Sequence, residues 1–238
     1  MITFLVPTFN EKKNIFLFAN SLKNLSLSFE YKILFVDDNS IDGTKQELED
    51  VKKKFNNIDF IIRKEMKRDL TKSLLIGFDN IKDKYTFVLD CDLQHDYKKI
   101  QKVVDSIIKD KYDLIIGSRF LSPNQTVALS KKRTLESRVG ILLCKFIGIN
   151  KISDPLSGFF LIKTSLVKNI RNKINTLGFK ILLTILFMCK NKILVKEIPI
   201  EFDKRIYGYS KLNLKVRILF LQQIMKLFYY RIINIFKK

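Results

Sequence analysis

The chain has no tryptophan, one histidine, three cysteines, four prolines and eight glycines among its 238 residues. With His95 as the lone histidine, no nucleophile–histidine dyad is in view. Cys91, Cys144 and Cys189 lack metal-ligand spacing. An odd count without a framework points to a reducing cytosol, each thiol being a small buried apolar group. No linker, repeat or low-complexity segment appears. Residues 1–7 have neither the basic start nor the small-residue cleavage site of a signal peptide, so none is expected. The apolar runs 141–149 and 177–189 are too short to cross a bilayer as helices. The run 212–236 is long enough, but Lys215, Arg217, Lys226 and Arg231 interrupt it.

Acidic residues are also sparse, 24 against 44 Lys and Arg, giving a net charge of +20. The imbalance is local: residues 155–238 hold seventeen Lys and Arg against Glu197, Glu201 and Asp203. Such a block suits nucleic acid, an anionic bilayer or a phosphorylated substrate. Codon bias toward Lys, Asn and Ile would produce it too. No helix-turn-helix, zinc-finger or RNA-recognition signature accompanies it, and the basic residues alternate with large aliphatic ones. A nucleic-acid partner is therefore not expected.

What is present is a chain 47% hydrophobic, with 20 Phe and 8 Tyr, long enough for one large α/β domain. Short apolar segments at 2–6, 31–36, 59–63, 85–89 and 112–116 are predicted strands. Helical spacing fills 11–25 (Asn10 placed to cap it), 41–55, 70–81 and 98–109. This alternation predicts a mostly parallel sheet covered on both faces, with ligands beyond the carboxyl ends of the strands. One more strand is predicted at 196–202. Over 212–236, Lys211, Lys215, Gln222, Gln223, Lys226, Asn234 and Lys237 fall on one side of a helix. Ile218, Leu221, Ile224, Met225, Phe228, Ile232 and Ile235 fall on the other. That pattern suits a helix lying in a membrane interface, and equally a surface helix packed on the core.

Polar clusters follow three of the strands. In Asp90-Cys91-Asp92-Leu93-Gln94-His95 two carboxylates share a side of an extended segment, and Gln94 continues the spacing with a neutral oxygen. Hard oxygens of this kind suit Mg²⁺ or Mn²⁺ carrying a diphosphate, although D-x-D alone is a weak signal. Asp37-Asp38-Asn39-Ser40 can accept hydrogen bonds from a nucleobase or ribose, while Asp42 and Gly43 suit a turn and helix start. Arg119, Arg205 and Lys211 supply cations matched to phosphate oxygens and to a diphosphate leaving group.

Six segments occur in order: Pro7-Thr8-Phe9-Asn10-Glu11; Val36-Asp37-Asp38-Asn39-Ser40; Asp90-Cys91-Asp92-Leu93-Gln94-His95; Gly117-Ser118-Arg119-Phe120; Asp154-Pro155-Leu156-Ser157-Gly158-Phe159-Phe160; and Arg205-x-x-Gly208-x-Ser210-Lys211-Leu212. Each is weak to moderate alone. Together they resemble the dolichol-phosphate mannosyltransferase group of family 2 glycosyltransferases, over nearly all of residues 1–212. The resemblance implies a GT-A fold, a Rossmann-like, mostly parallel sheet with helices on both faces. It divides the chain into a catalytic domain, 1–211, and a basic amphipathic membrane-associating helix, 212–238.

The resemblance also assigns roles. Pro7, Glu11, Asp38, Asp90, Asp92 and Lys211 would bind the nucleotide sugar. Asp90, Asp92 and Gln94 would hold Mg²⁺ or Mn²⁺. Arg119, Arg133, Ser137 and Arg205 would meet the acceptor phosphate, and Asp92, Arg119 and Arg205 would carry catalysis. The implied reaction is inverting transfer of a hexose, first of all mannose from GDP-mannose, to dolichyl or polyprenyl phosphate. It would take place peripherally on the cytoplasmic side of a membrane, with a separate membrane subunit as one potential partner. A UDP-sugar donor or another acceptor is the runner-up. A processive polysaccharide synthase is disfavoured, since its Gln-x-x-Arg-Trp motif needs the missing tryptophan. The chain departs from the usual pattern at Phe9 (often Tyr), Cys91 (usually small), Asp96-Tyr97 (usually a proline pair) and Asp69-Leu70-Thr71 (commonly Gly-Leu-Gly). The last departure leaves the donor open.

Overall fold

The computed structural model describes residues 1–65, 67–121, 131–174, 180–189, 192–209, 211 and 213–236. Ser210 and Leu212 of the last motif, the start of the apolar run 177–189, and Lys237 fall outside these residues.

Seven strands form one sheet: β1 (Ile2–Thr8), β2 (Tyr31–Asp37), β3 (Ile58–Ile62), β4 (Tyr85–Val88), β5 (Leu114–Ser118), β6 (Phe160–Lys163) and β7 (Val195–Pro199). Their spatial order is β3-β2-β1-β4-β6-β5-β7. Neighbours pair in parallel except where β6 runs antiparallel between β4 and β5. All seven residues of β1 are buried, as befits a central strand covered on both faces. Side chains alternate across it: Phe4 and Val6 enter one core, Leu5 the other.

Helices α1 (Lys12–Asn24), α2 (Thr44–Lys54) and α4 (Ile100–Lys109) pack on the first face through Ile15, Phe18, Leu48, Val103 and Ile107. The second face carries α3 (Leu70–Asn80), α5 (Lys131–Phe146), α6 (Thr164–Ile170), α7 (Ile181–Met188) and α8 (Leu214–Phe236). The predicted parallel, doubly covered sheet is thus present. The predicted strand at 196–202 ends at Pro199, and Phe202 instead makes an isolated bridge to His95. Asn10 does not cap α1. It takes a positive φ of 52°, and its Oδ1 accepts from the Ile41 N–H at 3.1 Å. The amide of Glu11, at the helix start, is satisfied by Thr44 Oγ1 at 2.9 Å. The β1–α1 and β2–α2 loops are therefore stitched to each other.

The C-terminal helix α8 differs from its helical-wheel pattern. Gln223, expected on the polar side, is buried. Its Nε2 donates to the Lys180 carbonyl and to Thr184 Oγ1, both at 2.9 Å. Ile224 and Leu227 join the second core, whereas Ile218, Leu221, Met225 and Tyr229 are exposed. The helix thus packs on the domain and still presents apolar groups outward. Among the described residues, no helix is long and apolar enough to cross a membrane.

One close approach sets how α3 sits on the sheet. A Cβ on Gly77 would fall 2.2 Å from Leu5 Cδ1, so only glycine lets α3 lie this near β1. Gly77→Ala is expected to lower the unfolding free energy by about 1–3 kcal/mol, as overpacking does. Urea denaturation of both proteins measures this, and unchanged stability would refute the tight contact.

Candidate active site

The register of the sheet brings three polar loops together. Thr8 of β1 lies opposite Asp37 of β2, and Leu5 opposite Val88 of β4. The segments that follow these strands therefore emerge side by side at the carboxyl edge, where open α/β sheets bind ligands. Asp37 serves the loop itself, accepting from Thr8 Oγ1 and from both the amide and hydroxyl of Ser40. Asp38 faces a cavity of roughly 730 Å³.

That cavity collects most of the expected residues. Pro7, Glu11, Asp38, Asp90, Asp92, Arg119, Arg133, Ser137, Arg205 and Lys211 all line it. Gln94 is not among its lining residues. It is buried, its Oε1 accepting from Arg205 at 3.3 Å and its Nε2 donating to the Asp203 carbonyl at 2.9 Å.

Asp90 and Asp92 differ in setting. The Asp90 side chain is 45% exposed, whereas that of Asp92 is 8% exposed and paired with Arg205 Nη2 at 2.6 Å. Burial works to raise the Asp90 carboxyl, but the hydrogen bond with His95 and the nearby cations outweigh it and hold it at about 2. Burial, followed by repulsion from Asp90, raises Asp92. Gly158 leaves room here, since a Cβ would lie 2.8 Å from Asp90 Oδ2. Leu93, between Asp92 and Gln94, has a positive φ of 61°, and the Gln94 amide donates to Asp92 Oδ1 at 3.2 Å. Among the described residues, no three His, Cys, Asp or Glu side chains converge as a metal cage. Two hard carboxylates on an open cavity wall fit a divalent cation that draws its other ligands from phosphate and water, as Mg²⁺-type sites do.

Residues 203–209, together with Lys211, lie against this edge. Lys211 Nζ donates to both Glu11 Oε1 and the Phe9 carbonyl. Glu11 Oε2 accepts from Asn14 at 2.5 Å, and Arg205 Nη1 donates to the Tyr209 carbonyl at 3.1 Å.

On the far side, Arg119 meets Asp154 in a fork, Nε to Oδ2 at 2.7 Å and Nη2 to Oδ1 at 2.9 Å. Asp154 is fully buried. Burial would raise its carboxyl, but the Arg119 charge and hydrogen bonds prevail and lower it. The loop is fixed from below, because Glu197 of β7 accepts from the amides of both Ser153 and Asp154. The Phe202 ring lies 5.5 Å from the Arg119 guanidinium and 5.8 Å from that of Arg133, forming a plate between them.

Apolar side chains line the same cavity: Leu70 and Leu74 of α3, Val139 and Leu143 of α5, Leu182 of α7 and Phe220 of α8.

The sequence matches the model for "Glycosyl transferase family 2" over residues 3–171. The chain belongs to this family. It is 31% identical to a dolichol-phosphate mannosyltransferase of Pyrococcus furiosus over 95% of its own length, and spans 63% of that relative. It is likewise 31% identical to a dolichol-phosphate mannosyltransferase of Saccharomyces cerevisiae, covering 95% of the chain and 86% of the relative. A mannosyltransferase from Pyrobaculum calidifontis, solved with GDP-Man and Mn²⁺, superposes with a TM-score of 0.66 at 11% identity, over 98% of this chain and 64% of that one. That likeness shows the GT-A fold.

Several site residues of this family 2 chain escaped the motifs. Lys180 lines the cavity, and burial, together with the Arg119 charge, lowers its ammonium to about 8. Arg63, only 2% exposed, pairs with Asp38 Oδ1 at 3.1 Å. Arg68 and Asp69 line the cavity beside them. A hint existed in the apolar strand that ends at Arg63, an arginine placed where it must be buried with a partner.

Removing one member of a buried ion pair leaves the other charge uncompensated. Asp154→Asn is therefore expected to destabilise the fold by about 3–5 kcal/mol in denaturant titration. A loss below about 1 kcal/mol, the range of exposed pairs, would contradict the buried-fork account.

Proposed function

We propose that the protein transfers a hexose, with inversion, from a nucleotide sugar to a polyprenyl or dolichyl phosphate, with GDP-mannose as the donor. The observation that carries this is the single cavity with two chemically different ends. Carboxylates at the strand ends suit a metal–diphosphate and a nucleoside. An apolar cleft between α3, α5, α7 and α8 suits an isoprenoid chain. Arg119, Arg133, Lys180 and Arg205 line the same cavity and suit an acceptor phosphate. The names of the two relatives and the GDP-Man bound by the Pyrobaculum enzyme support the same donor and acceptor.

In this scheme a phosphate oxygen of the acceptor attacks the anomeric carbon, and the bond from that carbon to the nucleoside diphosphate oxygen breaks. Attack from the opposite face inverts the centre. The nucleophile is already an anion, so the protein has to align it and stabilise charge on the leaving group. Arg119 and Arg133 orient the acceptor phosphate, with Ser137 of α5 beside them, while Arg205 and Lys211 face the leaving diphosphate. Asp90 and Asp92 would hold Mg²⁺ or Mn²⁺, which when bound supplies Lewis-acid stabilisation of that diphosphate.

Membrane attachment belongs to the same proposal. α5 exposes Leu135, Val139, Leu142 and Phe146 beside the exposed Ile218, Leu221 and Met225 of α8. The two helices meet where Phe146 stacks on Phe228 at 5.1 Å and Arg217 pairs with Glu136 at 2.8 Å. With Lys215 and Lys226 at its margins, this surface suits the anionic cytoplasmic face of a membrane, next to the apolar end of the cavity.

The transfer itself is tested with purified protein, Mn²⁺, a short polyprenyl phosphate and labelled GDP- and UDP-sugars. An organic-extractable product from GDP-mannose is expected. A product only from a UDP-sugar would replace the donor, and no lipid product from any donor would overturn the function. Asp92→Asn should lower turnover by about 10²-fold or more, together with Mn²⁺-dependent nucleotide binding. For the membrane, vesicle sedimentation should retain the protein on anionic vesicles and less on neutral ones. Lys215→Glu with Lys226→Glu should weaken retention most at low salt. Equal retention by the variant at every salt concentration would count against this surface.

A further inference from the structure

We infer that Arg68 is a donor-binding residue that pairs with the diphosphate of the nucleotide; this rests on the transferase function proposed above. Three observations converge on it. First, Arg68 lines the cavity at its carboxylate end, with Pro7, Phe9, Glu11 and Asp38. Its guanidinium lies 4.4 Å from the centroid of the Phe9 ring. A guanidinium resting on an aromatic face keeps its N–H donors in its own plane, where phosphate oxygens can meet them.

Second, the backbone on both sides of Arg68 is clamped from beneath. Buried Arg63 donates from Nη1 to the Asp69 carbonyl and from Nη2 to the Lys67 carbonyl, each at 2.8 Å. The Asp69 amide donates to Asp38 Oδ2 at 2.8 Å, and Asp69 Oδ1 caps α3 by accepting from the Lys72 amide at 3.0 Å. A loop needs no such anchoring to present a solvated charge. Anchoring from a buried arginine is what holds a binding group in one place.

Third, the electrostatics of this end call for a cation. Asp38 and Glu11 both act on Arg68. Lys211 is bound to Glu11 and the Phe9 carbonyl, and Arg205 to Asp92. Arg205 and Lys211 therefore meet a diphosphate while already engaged with carboxylates, and Arg68 adds one further cation at this end of the cavity.

The experiment uses the full chain with Mn²⁺ and titrates GDP, UDP and guanosine by calorimetry into the native protein, Arg68→Ala and Arg68→Lys, with circular dichroism to verify folding. Arg68→Ala is expected to weaken the better-bound nucleoside diphosphate by about ten-fold or more, the size of one charge-assisted contact. Guanosine affinity and the KM for polyprenyl phosphate should stay unchanged, and Arg68→Lys should recover part of the loss. Unchanged diphosphate affinity in Arg68→Ala, or an equal loss for guanosine, would overturn the inference while leaving the proposed function standing. Failure of the native protein to bind either diphosphate would overturn both.

Discussion

Charge compensation at the carboxyl edge of the sheet is the constraint on which the site depends. Glu11, Asp38, Asp90, Asp92 and Asp154 converge there, and carboxylates so close together repel unless each has a partner. Most of these partners come from a stretch of chain remote from the carboxylate they serve. Arg63 serves Asp38, His95 serves Asp90, Arg119 serves Asp154, Arg205 serves Asp92 and Lys211 serves Glu11. The pairs to Arg205 and Lys211 reach back across most of the sequence. They fasten Arg205 and Lys211 over the first strand ends, so residues distant in sequence supply part of the cavity wall. The same pairs make the site responsive, because a bound metal or phosphate competes directly with them.

Much of this could be read from residue order. The buried parallel strands are near-continuous apolar runs, and the polar clusters after Val6, Val36 and Leu89 had to fall at one edge once the strands were parallel. What escaped was determined by distant pairing. β6 is only four residues, beginning at the last residue of the Asp154–Phe160 motif, and it is a strand because β4 and β5 flank it on both sides. Asn10 looked like a cap, but its left-handed backbone and its bond to Ile41 are made across two loops. Lys180 sits ahead of an apolar helix with no local sign that Arg119 and Asp90 lie near. Gln223 on a helical wheel is polar and outward; it is buried because its amide donates to the Lys180 carbonyl and the Thr184 hydroxyl beneath α8.

The C-terminal helix shows why two accounts of one segment need not compete. A helix packed on a core hides one stripe, and a helix in an interface hides another. Here Ile224, Leu227 and Gln223 face the domain, while Ile218, Leu221 and Met225 face outward. The charges of Lys215 and Lys226 interrupt the run that would otherwise cross a bilayer. Packing of α8 over α7 also places its start beside the apolar end of the cavity. In the proposed scheme α5 and α8 therefore contribute both to the surface that meets the lipid and to the cleft that receives its chain.

The single histidine bears on the chemistry. His95 is 5% exposed, packed against Phe159 and Phe202, and its Nε2 lies 3.3 Å from Asp90 Oδ2. Among the described residues its Nδ1 is buried without a hydrogen-bond partner. A general base needs access to the proton it takes. This imidazole lacks that access, and it does not line the cavity. Among carboxylates, Asp92 is tied to Arg205, Glu11 to Lys211 and Asp154 to Arg119. Asp90 is the more open one, and the hydrogen bond with His95 and the nearby cations hold it below the usual carboxylate range. In the proposed scheme the nucleophile arrives as an anion and needs no base, which is in keeping with these pairings.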